Sequence, residues 1–242
     1  MSPFKAIMPP YGSISLTGRK NTMGDAITMA PGLLSSNKIS LFAVYHSTDD
    51  GGNLASFWST RFHILLHRRL ICESSSTGEE GGMDWAKIMR ASFEDMHLHS
   101  NTGEVITVAG VVVVLTEKKL IVSVTCHSMA VLCRGGKAVP LINDREIDRV
   151  YKKQRNGYDQ NSQMVEVLIK DRDEEDEFLI IGSGGLWGAV SGEEACKATA
   201  RFLLKFPMGG WAADAAAMLA EIALAKNSLE NITVIVVELK KH

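Results

Sequence analysis

The sequence is short of most features that mark a specialised chain. It has four cysteines in 242 residues, Cys72, Cys126, Cys133 and Cys196, and none of them forms a CxxC pair. That spacing offers neither a zinc knuckle nor a disulfide framework, and the thiols read as reduced and mostly buried. Net charge is almost absent, with 26 basic side chains against 28 acidic ones and a formal balance of −2. No global field of that size gathers nucleic acid or an anionic membrane, so neither is expected as a partner. Long apolar runs are missing too. The longest, residues 105–115, is interrupted by Thr107 and reaches only about half of the roughly 20 residues a membrane helix requires. Residues 1–10 include the adjacent Pro9 and Pro10 and no apolar stretch of signal-peptide length, which predicts an intracellular protein of cytoplasm or nucleus. No internal repeat is visible.

What the chain does have is apolar material in patterned segments. With 45% hydrophobic and 22% charged residues over this length, a single domain spanning residues 1–242 around one large core is expected. Residues 11–17 and 40–46 (SLFAVYH) read as strands. After Gly51 and Gly52, residues 53–70 place Leu54, Phe57, Trp58, Phe62, Leu65 and Leu66 near helical spacing. A Ser/Gly/Glu stretch, residues 73–82, reads as an exposed loop, and residues 83–93 as a second helix carrying Trp85, Ile88, Met89 and Phe93 on one face. From residue 105 the pattern turns to β: 105–115, 120–125, 130–134 and 137–141 predict a meander of antiparallel strands. Strands at 164–170, 178–182 and 232–239 and helices at 192–204 and 212–225 complete the reading. Ser191 stands three residues before Glu194, the spacing of a capping box. Grouped strands and grouped helices without steady βα alternation argue for an α+β layered domain.

Several residues invite a chemical role and have a plainer reading beside it. His63 and His67 lie four apart on a predicted helix, a spacing that suits zinc, yet no third ligand is apparent and packing or surface placement is expected. His97 and His99 read as solvent-facing loop residues at a helix end. The acidic stretch at 171–177 (DRDEEDE) reads as a solvated turn between strands. Ser183-Gly184-Gly185 has the look of a phosphate-cradling loop, weakened because the helix is expected to begin only after Trp187.

Taken in order, six segments carry a resemblance. They are Gly18-Arg19-Lys20, Met23-Gly24-Asp25-Ala26, residues 42–45 (FAVY), 130–134 (AVLCR), 182–187 (GSGGLW) and 231–239 (NITVIVVEL). Together the chain resembles the metal-dependent 2C protein serine/threonine phosphatases, especially their plant members. The resemblance implies an αββα sandwich, two antiparallel β-sheets face to face with helices outside. It also implies, for active members, hydrolysis of phosphoserine and phosphothreonine with two Mn²⁺ or Mg²⁺ ions held by carboxylates between the sheets. Hard divalent ions want oxygen ligands, and a two-metal site both activates a water and clamps the phosphoryl oxygens.

Against that pattern the acidic positions have been rewritten. The family's Met-Glu-Asp-Ala is here Met23-Gly24-Asp25-Ala26, and the aspartate that bridges both ions is replaced by His46. Asp49 and Asp50 follow in a turn about two residues longer than the family's. Where the family has Gly-Asp-Ser-Arg this chain has Cys126-His127-Ser128-Met129. The metal aspartate of Ser-Asp-Gly-Leu-Trp is Gly184, and the final Asp-Asn is Glu230-Asn231. Lys20 matches the phosphate-gripping arginine, keeping a charge without the planar two-donor fork. The matched positions retain Asp25 and Glu230, about two negative charges for ions carrying about four positive ones. The interval between residues 141 and 178 is shorter than the family's, and the flap motif and the receptor-sensing tryptophan of the abscisic-acid branch have no counterpart in it. The expectation is therefore a pseudophosphatase, a protein-interaction module in phosphorylation signalling whose partner is a kinase or phosphoprotein. No catalytic residue and no cofactor is expected, and Mn or Mg enters only under the alternative of a weak residual phosphatase.

Overall fold

Strands buried on both faces define the centre of the molecule, and their side chains sort by period two into separate layers. In the computed structural model, residues 8–34, 39–47, 52–77, 83–100, 108–125, 129–141, 165–205 and 210–240 are described. The strands are β1 (Tyr11–Leu16), β2 (Asp25–Ala30), β3 (Ser40–His46), β4 (Ala109–Leu115), β5 (Lys119–Val124), β6 (Met129–Arg134), β7 (Lys137–Pro140), β8 (Glu166–Asp171), β9 (Asp176–Gly182) and β10 (Ile232–Glu238). They form two five-stranded sheets ordered β1-β10-β9-β6-β7 and β2-β3-β4-β5-β8, and every strand pair is antiparallel.

Phe42 and Val44 of β3, Val111 and Val113 of β4, Leu132 of β6, Leu179 and Ile181 of β9, and Ile235 and Val237 of β10 pack together between the sheets. The alternate residues face outward. Leu41, Ala43, Tyr45, Val112 and Val114 lie beneath α1 (Asn53–Thr77) and α2 (Trp85–Ser100). Val131, Cys133, Phe178, Ile180, Val234 and Val236 lie beneath α4 (Gly192–Lys205) and α5 (Ala212–Ala225), with the short α3 (Gly184–Trp187) at their edge. Four layers result, helices outside and two sheets within, as the α+β sandwich reading requires.

Three expectations need correction. The strands from residue 105 onward are not one meander: β4 and β5 belong to one sheet, β6 and β7 to the other. The reason is that each strand presents two apolar faces, and a sandwich buries both only by sending the chain from one sheet to the other. The exposed loop at 73–82 begins too early, because α1 continues to Thr77. Ser74 Oγ donates to the Ile71 carbonyl at 2.9 Å, a local bond that lets a serine-rich segment stay helical. His97 and His99 stand in the last turn of α2 and not in a loop. In addition, β2 was not anticipated as a strand; its mixed residues carry only a partial apolar alternation, and its pairing with β3 is what makes it β. Ser191 does cap α4, accepting from the Glu194 N–H at 3.2 Å.

Of the cysteines, Cys133 and Cys196 are buried and Cys72 is exposed, all free; Cys126 lies outside the described residues. The Cys133 thiol is pushed up by its hydrogen bond with Cys196 and by burial, which keeps it protonated and unreactive.

Candidate functional site

At one rim of the sandwich, β2 begins at Asp25, β3 ends at His46, β9 ends at Gly182 and β10 begins at Ile232. Asn231 binds these ends together. Its Oδ1 accepts from the Gly24 N–H at 2.7 Å, and its Nδ2 donates to the carbonyls of Thr17 at 2.9 Å and Thr22 at 3.0 Å. Its own carbonyl accepts from Ser183 Oγ at 3.0 Å, and that hydroxyl accepts from the Thr233 N–H at 3.0 Å. In the sequence Asn231 is legible only as part of a motif; an amide that both donates and accepts, placed immediately before a strand, is the signal that a side chain will be used as a clamp. Close backbone approach follows: a Cβ on Gly185 would stand 2.1 Å from the Asn231 carbonyl oxygen.

Asp25 and His46 are directly opposed in the β2/β3 register, so their side chains emerge on the same face. His46 Nδ1 lies 2.8 Å from Asp25 Oδ1, with the carboxylate wholly buried and the imidazole 31% exposed. An ionised carboxylate only accepts, so Nδ1 carries the proton. The hydrogen bond to Asp25 raises the His46 pKa above its ordinary value; burial opposes it, the charges of Asp25 and Glu230 add to it, and Lys20 subtracts. Asp25 Oδ2 is buried and has no hydrogen-bond partner. Beside this pair, Lys20 Nζ meets Glu230 Oε2 at 3.1 Å, both side chains about half exposed.

The two glycines at this rim differ in kind. A Cβ on Gly24 would stand 2.7 Å from the Ser47 carbonyl oxygen and 3.3 Å from His46 Cε1, whereas a Cβ on Gly184 would meet nothing within 4 Å. The Gly184 turn is itself the short helix α3, held by Trp187 Nε1, which donates to the carbonyls of Met129 at 2.9 Å and Gly182 at 3.1 Å. The helical turn therefore begins at Gly184 and not after Trp187, because the indole bonds back to the strand ends. Lys20, Gly24, Asp25, His46, Gly184 and Glu230 all gather around Asn231, while His127, Asp49 and Asp50 lie outside the described residues.

Comparison with known proteins agrees with this architecture. The chain is 31% identical over 301 residues to the probable protein phosphatase 2C 8 of Oryza sativa subsp. japonica, covering 96% of this chain and 74% of that protein. The chain belongs to the protein phosphatase 2C family. It is also 30% identical over 293 residues to the probable protein phosphatase 2C 24 of Arabidopsis thaliana, covering 96% of this chain and 79% of that one. No protein-family model matches the chain. Among solved structures, a Mycobacterium tuberculosis serine/threonine phosphatase superposes with a TM-score of 0.65 at 16% identity, covering 97% of this chain and 100% of that one. A Caenorhabditis elegans sex-determining protein superposes with a TM-score of 0.79 at 13% identity, covering 97% of this chain and 65% of that one. Those two likenesses concern the fold.

Members of the 2C family use Mn or Mg, and the rim of this 2C-family chain fits such ions poorly. Among the described residues no group of three or more His, Cys, Asp and Glu side chains converges to hold a metal. Of the carboxylates of Asp25 and Glu230, one oxygen each is engaged, Asp25 Oδ1 by His46 and Glu230 Oε2 by Lys20. Among the described residues Asp25 Oδ2 is a buried acceptor without a hydrogen-bond partner, against the six or so oxygens that a hard divalent cation gathers.

The remaining side chains with an alternative chemical reading are placed plainly. Among the described residues no helix is long and apolar enough to cross a membrane. Among the described residues His63 and His67 join no metal-holding group. The acidic turn is more than solvated charge: Asp176 is buried and accepts from Arg134 Nε at 2.6 Å and, through its second oxygen, from the Asp173 N–H at 2.9 Å. Its sequence neighbours hide this, because only the β6/β9 pairing brings Arg134 opposite it.

Proposed function

We propose that this chain is a pseudophosphatase, a non-catalytic interaction module of phosphorylation signalling that uses a 2C surface to engage a kinase or phosphoprotein. The observation carrying this reading is the pairing of Asp25 with His46 at 2.8 Å: the buried carboxylate that would serve an ion serves an imidazole. Glycine at positions 24 and 184 takes away further oxygen ligands, and a two-metal hydrolysis has no ion to activate water. The strands that build the sandwich keep their apolar patterning throughout, so the change falls on chemistry and spares the scaffold.

The test has two parts. Purified chain is given a phosphothreonine peptide across a Mn²⁺ and Mg²⁺ titration beside an active relative, and no metal-dependent phosphate release is expected. Release that saturates with metal and disappears in Asp25→Ala would instead establish the weak phosphatase. The chain is then added to the active relative's reaction. Competition for a phosphoprotein substrate raises that enzyme's apparent KM while leaving its turnover of a small aryl phosphate untouched; no effect on either substrate argues against the shared-partner reading.

A further inference from the structure

We infer that His46 is a metal-excluding latch, so that divalent cations are kept out of this rim by an occupied position as well as by missing carboxylates. The inference rests on the non-catalytic reading and adds a cause to it. The β2/β3 register sets Asp25 and His46 opposite each other, and the 2.8 Å bond between them occupies Asp25 Oδ1. The ring also borders position 24: a Cβ on Gly24 would lie 3.3 Å from its Cε1, with the Ser47 carbonyl oxygen at 2.7 Å and Asn231 Oδ1 at 3.2 Å closing the rest of that space.

The backbone reinforces this exclusion. Gly24 accepts from the Ser47 N–H at 3.0 Å through its carbonyl and donates to Asn231 Oδ1 at 2.7 Å through its amide, so its neighbours on both sides are hydrogen-bonded in place. Gly184 is the contrast, with open space where its side chain would be. It sits next to Ser183, whose hydroxyl belongs to the same Asn231 network. The two emptied positions are therefore unequal. A Cβ at 184 meets nothing within 4 Å, whereas Asp25 Oδ1 is already taken by His46. Ligand oxygens restored one at a time do not sum to a site while His46 remains; affinity should be strongly non-additive between positions 46 and 184.

The experiment is a Mn²⁺ titration by calorimetry, with the Mn²⁺ paramagnetic resonance signal as a second readout, at one fixed pH. It compares the natural chain, Gly184→Asp, His46→Asp and the double variant His46→Asp/Gly184→Asp. Expected are no saturable binding by the natural chain into the millimolar range, weak binding by Gly184→Asp, and at least tenfold tighter binding by the double variant than by either single one. Thermal melts accompany each sample; should His46→Asp not fold, His46→Ala/Gly184→Asp supplies the comparison, since it also frees Asp25 and the ring volume, and a threefold or greater gain over Gly184→Asp is then expected. If Gly184→Asp alone binds Mn²⁺ as tightly as the double variant, the latch is wrong while the non-catalytic reading stands. If the natural chain itself binds Mn²⁺ and releases phosphate with it, the non-catalytic reading is the one that fails.

Discussion

A side-chain amide ties together the strand ends and loops at the rim of this molecule. Asn231 makes three hydrogen bonds through its amide, to Gly24, Thr17 and Thr22. Truncation takes this partner from the Gly24 N–H and the Thr22 carbonyl, while the Thr17 carbonyl keeps the Lys20 N–H at 3.2 Å, so Asn231→Ala is expected to cost about 2 to 4 kcal/mol in a urea melt. A loss below about 0.5 kcal/mol would mean that water replaces the amide freely. Adjacent glycines give a sharper residue-scale contrast. Gly185→Ala drives a Cβ to 2.1 Å from a carbonyl oxygen, and Gly184→Ala meets open space. The first should destabilise by about 2 kcal/mol or more, and the second should stabilise α3 by about 0.5 kcal/mol; equal effects would refute the placement of this turn.

His46 adds a pH dependence of definite sign. Its folded-state pKa is raised, chiefly by the hydrogen bond to Asp25, so the protonated imidazole favours the folded chain. That contribution is fully present below the unfolded value near 6.5 and is lost as pH rises through the folded value. Urea midpoints measured at pH 5.5 and at successive steps above 6.5 should fall over that upper range in the natural chain more than in His46→Gln. A natural chain whose profile is parallel to that of the variant would show that the pair does not form.

At the scale of elements, the β8–β9 connection is the segment whose charge has most structural consequence. Asp176 is buried, ties Arg134 of β6 at 2.6 Å, and caps the turn through the Asp173 N–H. Removing one member of such a pair leaves the other without its partner, and Asp176→Ala is expected to cost about 2 to 3 kcal/mol. Asp171, one strand end earlier, is 83% exposed where it meets Lys119, and Asp171→Ala should shift the same melt negligibly. Equal losses from the two substitutions would overturn this assignment. The outer helices are held differently. The α1/α2 pair buries a cluster of rings, with Phe62 and Phe93 centroids 4.8 Å apart edge to face, and Arg69 Nη2 reaches Asp95 Oδ2 at 2.6 Å across the same interface.

For the whole molecule, the two sheets come together through apolar side chains, and the acidic rim is balanced from within by His46 and Lys20. A fold assembled this way is expected to stand without a divalent cation. A ligand that binds only the folded state raises stability by RT ln(1 + [L]/Kd), so the thermal midpoint should be the same, to within about 1 °C, in EDTA and in millimolar Mn²⁺. A rise of several degrees with Mn²⁺ would reveal a site that uses Asp25 Oδ2 after all.

Much of this architecture is written locally. Apolar residues at i, i+4 and so on through Leu54, Trp58, Phe62, Leu66 and Leu70 make α1 a helix with one buried face, and runs such as residues 232–238 are buried throughout because each strand is covered on both sides. Those periodicities, and the presence of Gly24, His46 and Gly184 rather than acidic residues, are legible in the order of amino acids. Sheet membership is not, because two hairpins of the same apolar character join different sheets only when long-range pairing selects their neighbours. Nor is the partner of a charge: Asp25 opposite His46, Asp176 against Arg134 and Asn231 beneath Gly24 are separated by 21, 42 and 207 residues. By itself the sequence determined which groups this rim would have. Only the tertiary structure decided that the remaining carboxylates would be taken by an imidazole and an ammonium, because strand register and loop closure, not local pattern, bring those atoms within hydrogen-bonding distance.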